Sequence, residues 1–155
     1  MDVIVSSPQE TKELGVKLGN FLRPGDVISL NGSLGSGKTY FVKGIGIGLG
    51  ISEELVTSPT FKLINQYEGI LPLYHFDVYR IKPEEIEDLG YEDYFYGKGV
   101  SIIEWGNNVI DYLPEDYLEV LLKKTSIDNE RHFTFIAHGQ RYEKLLADFE
   151  TVVEI

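Results

Sequence analysis

One segment of this 155-residue chain has the glycine, lysine and threonine spacing that is typical of phosphate binding. Residues 32–39 read GSLGSGKT and match the pattern G-x-x-x-x-G-K-[S/T] in full. Glycines let such a loop wrap around phosphates with its backbone N–H groups pointing inward, while Lys38 reaches the β- and γ-phosphates and the Thr39 hydroxyl binds Mg²⁺. We therefore predict a P-loop for a nucleoside triphosphate and magnesium. The residues expected to contact the nucleotide here are Gly35, Ser36, Gly37, Lys38, Thr39 and Tyr40.

Two carboxylates that follow strand-like segments could complete the magnesium side of this site. Glu104 comes directly after an apolar run, and Asp77 comes after a more mixed one. P-loop enzymes use such a carboxylate at the end of a second strand, although a strand-end cap or a surface carboxylate would look the same. Glu104 fits the metal-side role better, and for Asp77 the two interpretations are balanced. We expect Lys38, Asp77 and Glu104 to be the catalytic residues and Thr39 and Glu104 the metal ligands, and which carboxylate positions the attacking water stays open.

The segment TSPT at residues 57–60 lies where P-loop hydrolases have a switch loop. Such loops supply a Thr or Ser hydroxyl to Mg²⁺ or to the γ-phosphate. A plain turn stiffened by Pro59 is the alternative, and the residues alone favour that turn slightly.

Motifs that are missing from the chain narrow the class of nucleotide-binding protein. No Asp in the chain has a Gly three residues later and no Asn is followed by Lys, so the two GTPase signatures are missing. A small-molecule kinase would close an Arg-rich lid over the transferring phosphate, and four scattered arginines fit that poorly. An ATPase or an ATP-dependent switch remains.

Composition excludes several other classes of protein. The formal net charge is −11, which opposes the phosphate backbone of a nucleic acid, so the chain is not expected to bind tRNA by itself. Cysteine is absent, which excludes disulfides and thiolate metal sites and suits the cytoplasm. No apolar run approaches the roughly 18 residues that a membrane span needs.

Strands that alternate with helices indicate how the site is built. We predict an α/β, P-loop NTPase-like fold in one domain over residues 1–155: a mostly parallel sheet, flanked by helices, with one antiparallel strand pair. The capping sequence SPQE at residues 7–10 starts a helix that continues to Leu22. The predicted strands are residues 2–6, 27–31, 62–68, 71–78, 100–104, 117–123 and 132–138, the pair 62–68 and 71–78 forming a hairpin. The other predicted helices are residues 38–49, 83–89 and 140–149.

Beyond the P-loop, several short motifs occur in an order that is specific in combination. They are SPTF at 58–61, HFDVYR at 75–80, EEIEDLG at 84–90 and IEW at 103–105. With the P-loop, they resemble the TsaE family, bacterial ATPases of tRNA threonylcarbamoyladenosine biosynthesis, over roughly residues 7–139. After Trp105 this chain continues with GNN, where the family often has Pro or a small residue followed by a charged one.

The resemblance implies a small P-loop fold that holds Mg-ATP, and it implies roles for further residues. Thr60 matches the family's switch, Asp77 an essential acidic position and Glu104 a second magnesium-side carboxylate. Two further matches concern the nucleotide: Glu10 and Thr11 match the start of a first helix near the adenine, and Arg131 matches an Arg that reaches the nucleotide.

The resemblance also implies partners. The family acts with the TsaD and TsaB proteins, which transfer the threonylcarbamoyl group to adenosine 37 of tRNAs that read ANN codons, and ATP hydrolysis supports repeated turnover. The alternatives are a nucleotide-gated binding module without significant hydrolysis of its own and a small-molecule kinase.

Overall fold

The structure, a computed structural model, describes residues 1–56 and 63–153. Its strands are β1 (Asp2–Val5), β2 (Val27–Gly32), β3 (Ile64–Tyr67), β4 (Leu73–Asp77), β5 (Val100–Glu104), β6 (Tyr117–Lys124) and β7 (Arg131–His138). Its α-helices are α1 (Pro8–Gly19), α2 (Lys38–Gly48), α3 (Tyr91–Phe95) and α4 (Gln140–Glu150). Short 3-10 helices span Glu53–Leu55, Pro83–Leu89 and Gly106–Tyr112.

The strands form one sheet of mixed direction, in the order β1-β7-β6-β2-β5-β4-β3. The central pairs β6–β2, β2–β5 and β5–β4 are parallel, and the pairs β1–β7, β7–β6 and β4–β3 are antiparallel. The predicted α/β fold with flanking helices is confirmed, and so is the hairpin, now β3 and β4. The prediction of a mostly parallel sheet with one antiparallel pair is wrong. The short segment between β6 and β7 cannot hold the crossover of about a dozen residues that a parallel pair needs.

Helix α1 begins where the capping sequence predicts. The Ser7 hydroxyl accepts a hydrogen bond from the Glu10 backbone N–H at 3.1 Å, and the Glu10 carboxylate accepts one from the Ser6 N–H at 2.6 Å. These contacts satisfy two backbone donors near the start of the helix, which otherwise have no partner within it. The helix ends at Gly19, earlier than the predicted end at Leu22, because the chain turns there: Phe21 donates to the Leu18 carbonyl.

Glycines allow α1 and α2 to pack backbone against backbone. A Cβ atom on Gly48 would lie 2.6 Å from the Val16 carbonyl oxygen, and one on Gly19 would lie 2.7 Å from that of Ile45. Gly44 likewise faces Lys12. From Gly15, which meets Phe41 and Ile45, to Gly19, which meets Ile45 and Gly48, the numbers rise along both helices. The two helices therefore run parallel and begin at the same end of the sheet.

Two hydrophobic cores cover the sheet. The larger lies beneath α1, α2 and α4 and includes Phe41, Phe133 and Phe149. The smaller lies on the opposite face, where the segment 83–112 packs aromatic rings on β4 and β5. Within it the predicted helix at 83–89 is present as a 3-10 helix, whereas α3 and the 3-10 helix Gly106–Tyr112 were not predicted.

Candidate functional site

Three neighbouring parallel strands bring the predicted charged residues to one edge of the sheet. Strand β5 pairs with β2 on one side and with β4 on the other, so their carboxyl ends meet. Asp77 and Glu104 are the last residues of β4 and β5 and lie opposite each other in the register. Glu104 is also opposite Leu30 in β2, two residues before the glycine-rich segment begins at Gly32. Because the three strands are parallel, residues far apart in sequence converge here.

The glycine-rich loop connects β2 to α2 and requires its glycines. Gly35 and Gly37 have φ angles of +75° and +106°, a region that side chains with a Cβ rarely adopt. Gly37 is the N-cap of α2, and Lys38 is the first residue of this 11-residue helix. The N-terminus of a helix carries unpaired N–H groups and a partial positive charge, which favour an anion such as phosphate.

A cavity of about 390 Å³ opens between this loop and the two carboxylates. The predicted residues that line it are Gly35, Gly37, Lys38, Thr39, Tyr40, Asp77 and Glu104, and Leu34 and Trp105 complete the wall. Most of the predicted site is therefore assembled around one cavity.

The Lys38 ammonium lies inside this arrangement. Its Nζ donates hydrogen bonds to the carbonyl oxygens of Gly32 at 2.5 Å and Ser33 at 3.0 Å, and it stands 4.5 Å from the centre of the Trp105 ring. Burial lowers the pKa of Lys38 below its ordinary value, and the negative charges of Glu104 and Asp77 oppose that shift. The hydrogen bonds of this cation go to neutral carbonyl oxygens, and a phosphate group in the cavity would offer it a charged acceptor instead.

Asp77 and Glu104 have different surroundings. Asp77 is half-buried and accepts a hydrogen bond from the Tyr79 N–H at 3.0 Å. Burial raises the pKa of Asp77, the Tyr79 hydrogen bond opposes this, and the nearby Glu104 charge raises it further. Glu104 is only 5% exposed, and its Oε2 is 2.5 Å from Nε2 of His75.

Arg131 contacts the glycine-rich loop and does not line the cavity. It is the first residue of β7, and its Nε donates to the Ser36 carbonyl at 2.7 Å while its Nη1 donates to the Glu130 carbonyl at 2.9 Å. The Ser36 side chain is fully buried. In this structure the Arg131 side chain therefore holds the loop in place through a hydrogen bond to the loop backbone at Ser36.

The remaining predicted residues lie apart from the cavity wall. Glu10 is exposed and Thr11 is buried in the first turns of α1, which begins at the same end of the sheet as α2. Glu10 lines a different cavity, of about 340 Å³, beside β1. Thr60 and the whole segment 57–60 lie outside the described residues.

Two residues to which the sequence analysis gave no role belong to the site: Trp105 lines the cavity, and His75 lies behind Glu104 without lining it. His75 contacts Glu104, and its position two residues before Asp77 in a strand was the available signal, because alternate residues share a face. Trp105 has a φ of +64°, which turns the chain sharply at the end of β5. After it, the Asn107 N–H donates to Oδ1 of Asn31 at 3.0 Å, so the unusual GNN stretch ties β5 to the end of β2.

Three further observations complete the description of the structure. The half-exposed His132 and His138 each contact a carboxylate, of Asp2 at 2.9 Å and of Glu119 at 2.8 Å. Within residues 1–56 and 63–153, no helix combines the length and apolar character needed to span a bilayer. Tyr96 is 67% exposed.

Comparisons with known proteins show which family this chain resembles. Residues 5–133 match the family model described as "Threonylcarbamoyl adenosine biosynthesis protein TsaE". The chain is 48% identical over 140 residues to the Bacillus subtilis tRNA threonylcarbamoyladenosine biosynthesis protein TsaE, covering 90% of this chain and 87% of that protein. It is 44% identical over 135 residues to the protein of the same name from Treponema pallidum, covering 86% and 98%. The crystal structure of Bacillus subtilis YdiB superimposes with a TM-score of 0.84 at 40% identity, over 97% of this chain and 94% of that one. The chain therefore belongs to the TsaE family.

Proposed function

We propose that this chain is a single-domain, P-loop, magnesium-dependent ATPase that serves tRNA threonylcarbamoyladenosine biosynthesis. The observation that carries the proposal is the convergence of Lys38, Asp77 and Glu104 on one cavity at the start of α2. The family membership supports the biosynthetic role, since the matched relatives are named for that pathway.

The residues present fit magnesium and a nucleoside triphosphate. The Thr39 hydroxyl and the carboxylate of Glu104 are hard oxygen donors on the cavity wall, which is the donor type that Mg²⁺ prefers. A Cβ on Gly37, which lines the cavity, would meet nothing within 4 Å, so the loop backbone is open at this position. When bound, Mg²⁺ would neutralise charge on the phosphates. We assign Thr39 and Glu104 as its protein ligands.

Different groups of this chain would then have different roles in binding and hydrolysis. Loop N–H groups and the start of α2 bind the phosphates, with Gly35, Ser36, Gly37 and Tyr40 in contact with the nucleotide. Lys38 stabilises negative charge on the transferring phosphoryl group. Asp77 and Glu104 are the two candidates for orienting the attacking water.

Outside the cavity wall, the roles of four residues remain proposals that the family resemblance supports. Thr60 supplies the switch hydroxyl. Glu10 and Thr11 lie toward the adenine, which agrees with α1 beginning at the same end of the sheet as α2. Arg131 contacts the nucleotide or, as its bond to the Ser36 carbonyl favours, holds the loop that does.

We propose that the chain acts in the cytoplasm with TsaD and TsaB and meets tRNA only through them. The net charge of −11 supports this, because an acidic protein is repelled by the phosphate backbone. A partner that binds tRNA removes the need for a basic surface on this chain.

A turnover assay tests the proposal. TsaD and TsaB are incubated with excess unmodified tRNA and threonylcarbamoyl donor, and modified adenosine is counted per TsaD molecule. We expect many turnovers with the wild-type chain and ATP, and about one without the chain, with a non-hydrolysable ATP analogue, or with Lys38→Ala. Equal product in all four reactions would refute the role.

The two alternatives give different results. A nucleotide-gated binding module would support turnover equally well with the non-hydrolysable analogue. A small-molecule kinase would transfer labelled γ-phosphate to a metabolite pool, whereas an ATPase releases it as inorganic phosphate.

A further inference from the structure

His75 occupies an unusual place for a histidine in this chain. It is 0% exposed in β4 and shares a face with Asp77, which lines the cavity two residues later. Its Nε2 is 2.5 Å from Oε2 of Glu104 on the neighbouring strand. The other two histidines also contact carboxylates, but at the half-exposed surface.

Hydrogen bonding defines the form of the His75 ring. Among the described residues, the buried Nδ1 has no hydrogen-bond partner. A proton on Nδ1 would be a buried donor without an acceptor, which costs about 1–3 kcal/mol, whereas a proton on Nε2 lies against an ionised carboxylate, which can only accept. The ring therefore carries its proton on Nε2 and donates it to the Glu104 carboxylate.

This hydrogen bond limits how the Glu104 side chain can turn. A glutamate has three rotatable side-chain bonds, and a carboxylate at a cavity wall could rotate toward several partners. With Oε2 held by the imidazole, Oε1 is the oxygen left for a ligand in the cavity. Groups that hold a metal-ligating side chain in this way commonly change metal affinity 10- to 100-fold when they are removed.

We propose that His75 is a positioning residue for the magnesium-side carboxylate: its Nε2–H holds Oε2 of Glu104 and so presents Oε1 to the metal. This rests on the proposed function of the cavity. His75 touches neither nucleotide nor metal in this scheme and acts only through Glu104.

Two nearly isosteric variants separate positioning from packing. In His75→Gln the side-chain amide nitrogen can reach the position of Nε2, and in His75→Asn it reaches only the position of Nδ1. Isothermal titration measures ATP affinity in EDTA and the Mg²⁺ concentration that half-saturates the Mg²⁺-dependent gain in affinity. We expect the Asn variant to raise that concentration about tenfold or more with the EDTA affinity unchanged. The Gln variant should restore the wild-type value.

A double-variant cycle tests whether the effect passes through Glu104. Glu104→Gln alone should weaken the Mg²⁺ dependence, and adding His75→Asn should weaken it no further. A further loss in the double variant would overturn the proposal. The same conclusion follows if the Asn and Gln variants both match wild type, or if Asn weakens ATP binding equally with and without Mg²⁺.

The ring form can be measured without any variant, so the test survives a variant that does not fold. Nitrogen-15 NMR of the wild-type chain should show His75 protonated on Nε2 and bare on Nδ1. A ring that carries its proton on Nδ1 and is bare on Nε2 would overturn the proposal. Wild-type protein that binds no ATP in the presence of Mg²⁺ would instead refute the proposed function, which the NMR measurement does not test.

Discussion

Replacing Lys38 with alanine is the sharpest perturbation of the cavity. In the structure its ammonium has two backbone carbonyl acceptors, on Gly32 and Ser33, and the face of Trp105. None of these carries a full negative charge. A bound phosphate would supply one, so the ammonium should leave these contacts for phosphate oxygens when nucleotide binds.

The size of the effect follows from that exchange. Two charge-assisted hydrogen bonds to phosphate are worth about 1.5–3 kcal/mol each. Giving up the carbonyl contacts and the aromatic face, the latter worth about 0.5–2 kcal/mol, offsets part of this gain. With the two carbonyl hydrogen bonds counted at about 0.5–1.5 kcal/mol each, a net loss of about 1–3 kcal/mol remains for Lys38→Ala, or roughly a 5- to 150-fold weaker Kd for Mg-ATP.

Isothermal titration with Mg-ATP measures this loss. Lys43→Ala is the matched control, because Lys43 lies on the same helix but does not line the cavity. Burial already disfavours the Lys38 charge, so its removal should leave the unfolding temperature close to wild type. A Lys38→Ala protein that is folded and binds Mg-ATP with wild-type affinity would refute the assignment of the loop.

Three further predictions concern catalysis and stability. Glu104→Gln should keep the fold and slow ATP hydrolysis by about two orders of magnitude; a normal rate in folded protein would show that the charge is not needed. Burial raises the pKa of Asp77, so ionisation of this carboxyl destabilises the fold as the pH rises through its folded-state pKa. Asp77→Asn should therefore raise the melting temperature at neutral pH. The gain should vanish in acid, below the pKa that Asp77 has in the unfolded chain. A gain that is independent of pH, measured by thermal scans, would contradict this. Gly44→Ala should lower the free energy of unfolding by about 1–3 kcal/mol in urea titrations, because the new Cβ would meet the backbone of Lys12 and Gly15. Gly46→Ala is the control, since its Cβ would meet a Val56 methyl group that can shift. Equal stabilities of the two variants would mean that α1 and α2 can move apart.

The sequence predicts the position of the glycine-rich loop and of the helix after it well, because local rules define them. A glycine-rich loop between a buried strand and a helix has few alternatives, and Lys38 and Thr39 lie where that pattern places them. Glu104 and Asp77 at strand ends were also predictable, since parallel strands bring their carboxyl ends together.

What the sequence did not predict depends on contacts across the sheet. The direction of β6 and β7 is an exception, because the predicted strands 117–123 and 132–138 already leave too short a connection for a crossover. The His75–Glu104 contact joins residues on different strands, and it needs the register of β4 against β5. Arg131 was expected at the nucleotide, but the sequence could not show that its side chain reaches the Ser36 carbonyl.

Phosphate release at saturating Mg-ATP is the most direct test of the central claim that this cavity is an ATPase site completed by partners. We predict slow release by the chain alone, a rise of at least an order of magnitude when TsaD and TsaB are added, and loss of both rates in Lys38→Ala. An arginine supplied by a partner could raise the rate by about 10³–10⁵, and a partner that only orders the switch would raise it less. Release that is equal with and without the pair would contradict partner gating, and release that survives in Lys38→Ala would contradict the ATPase site itself.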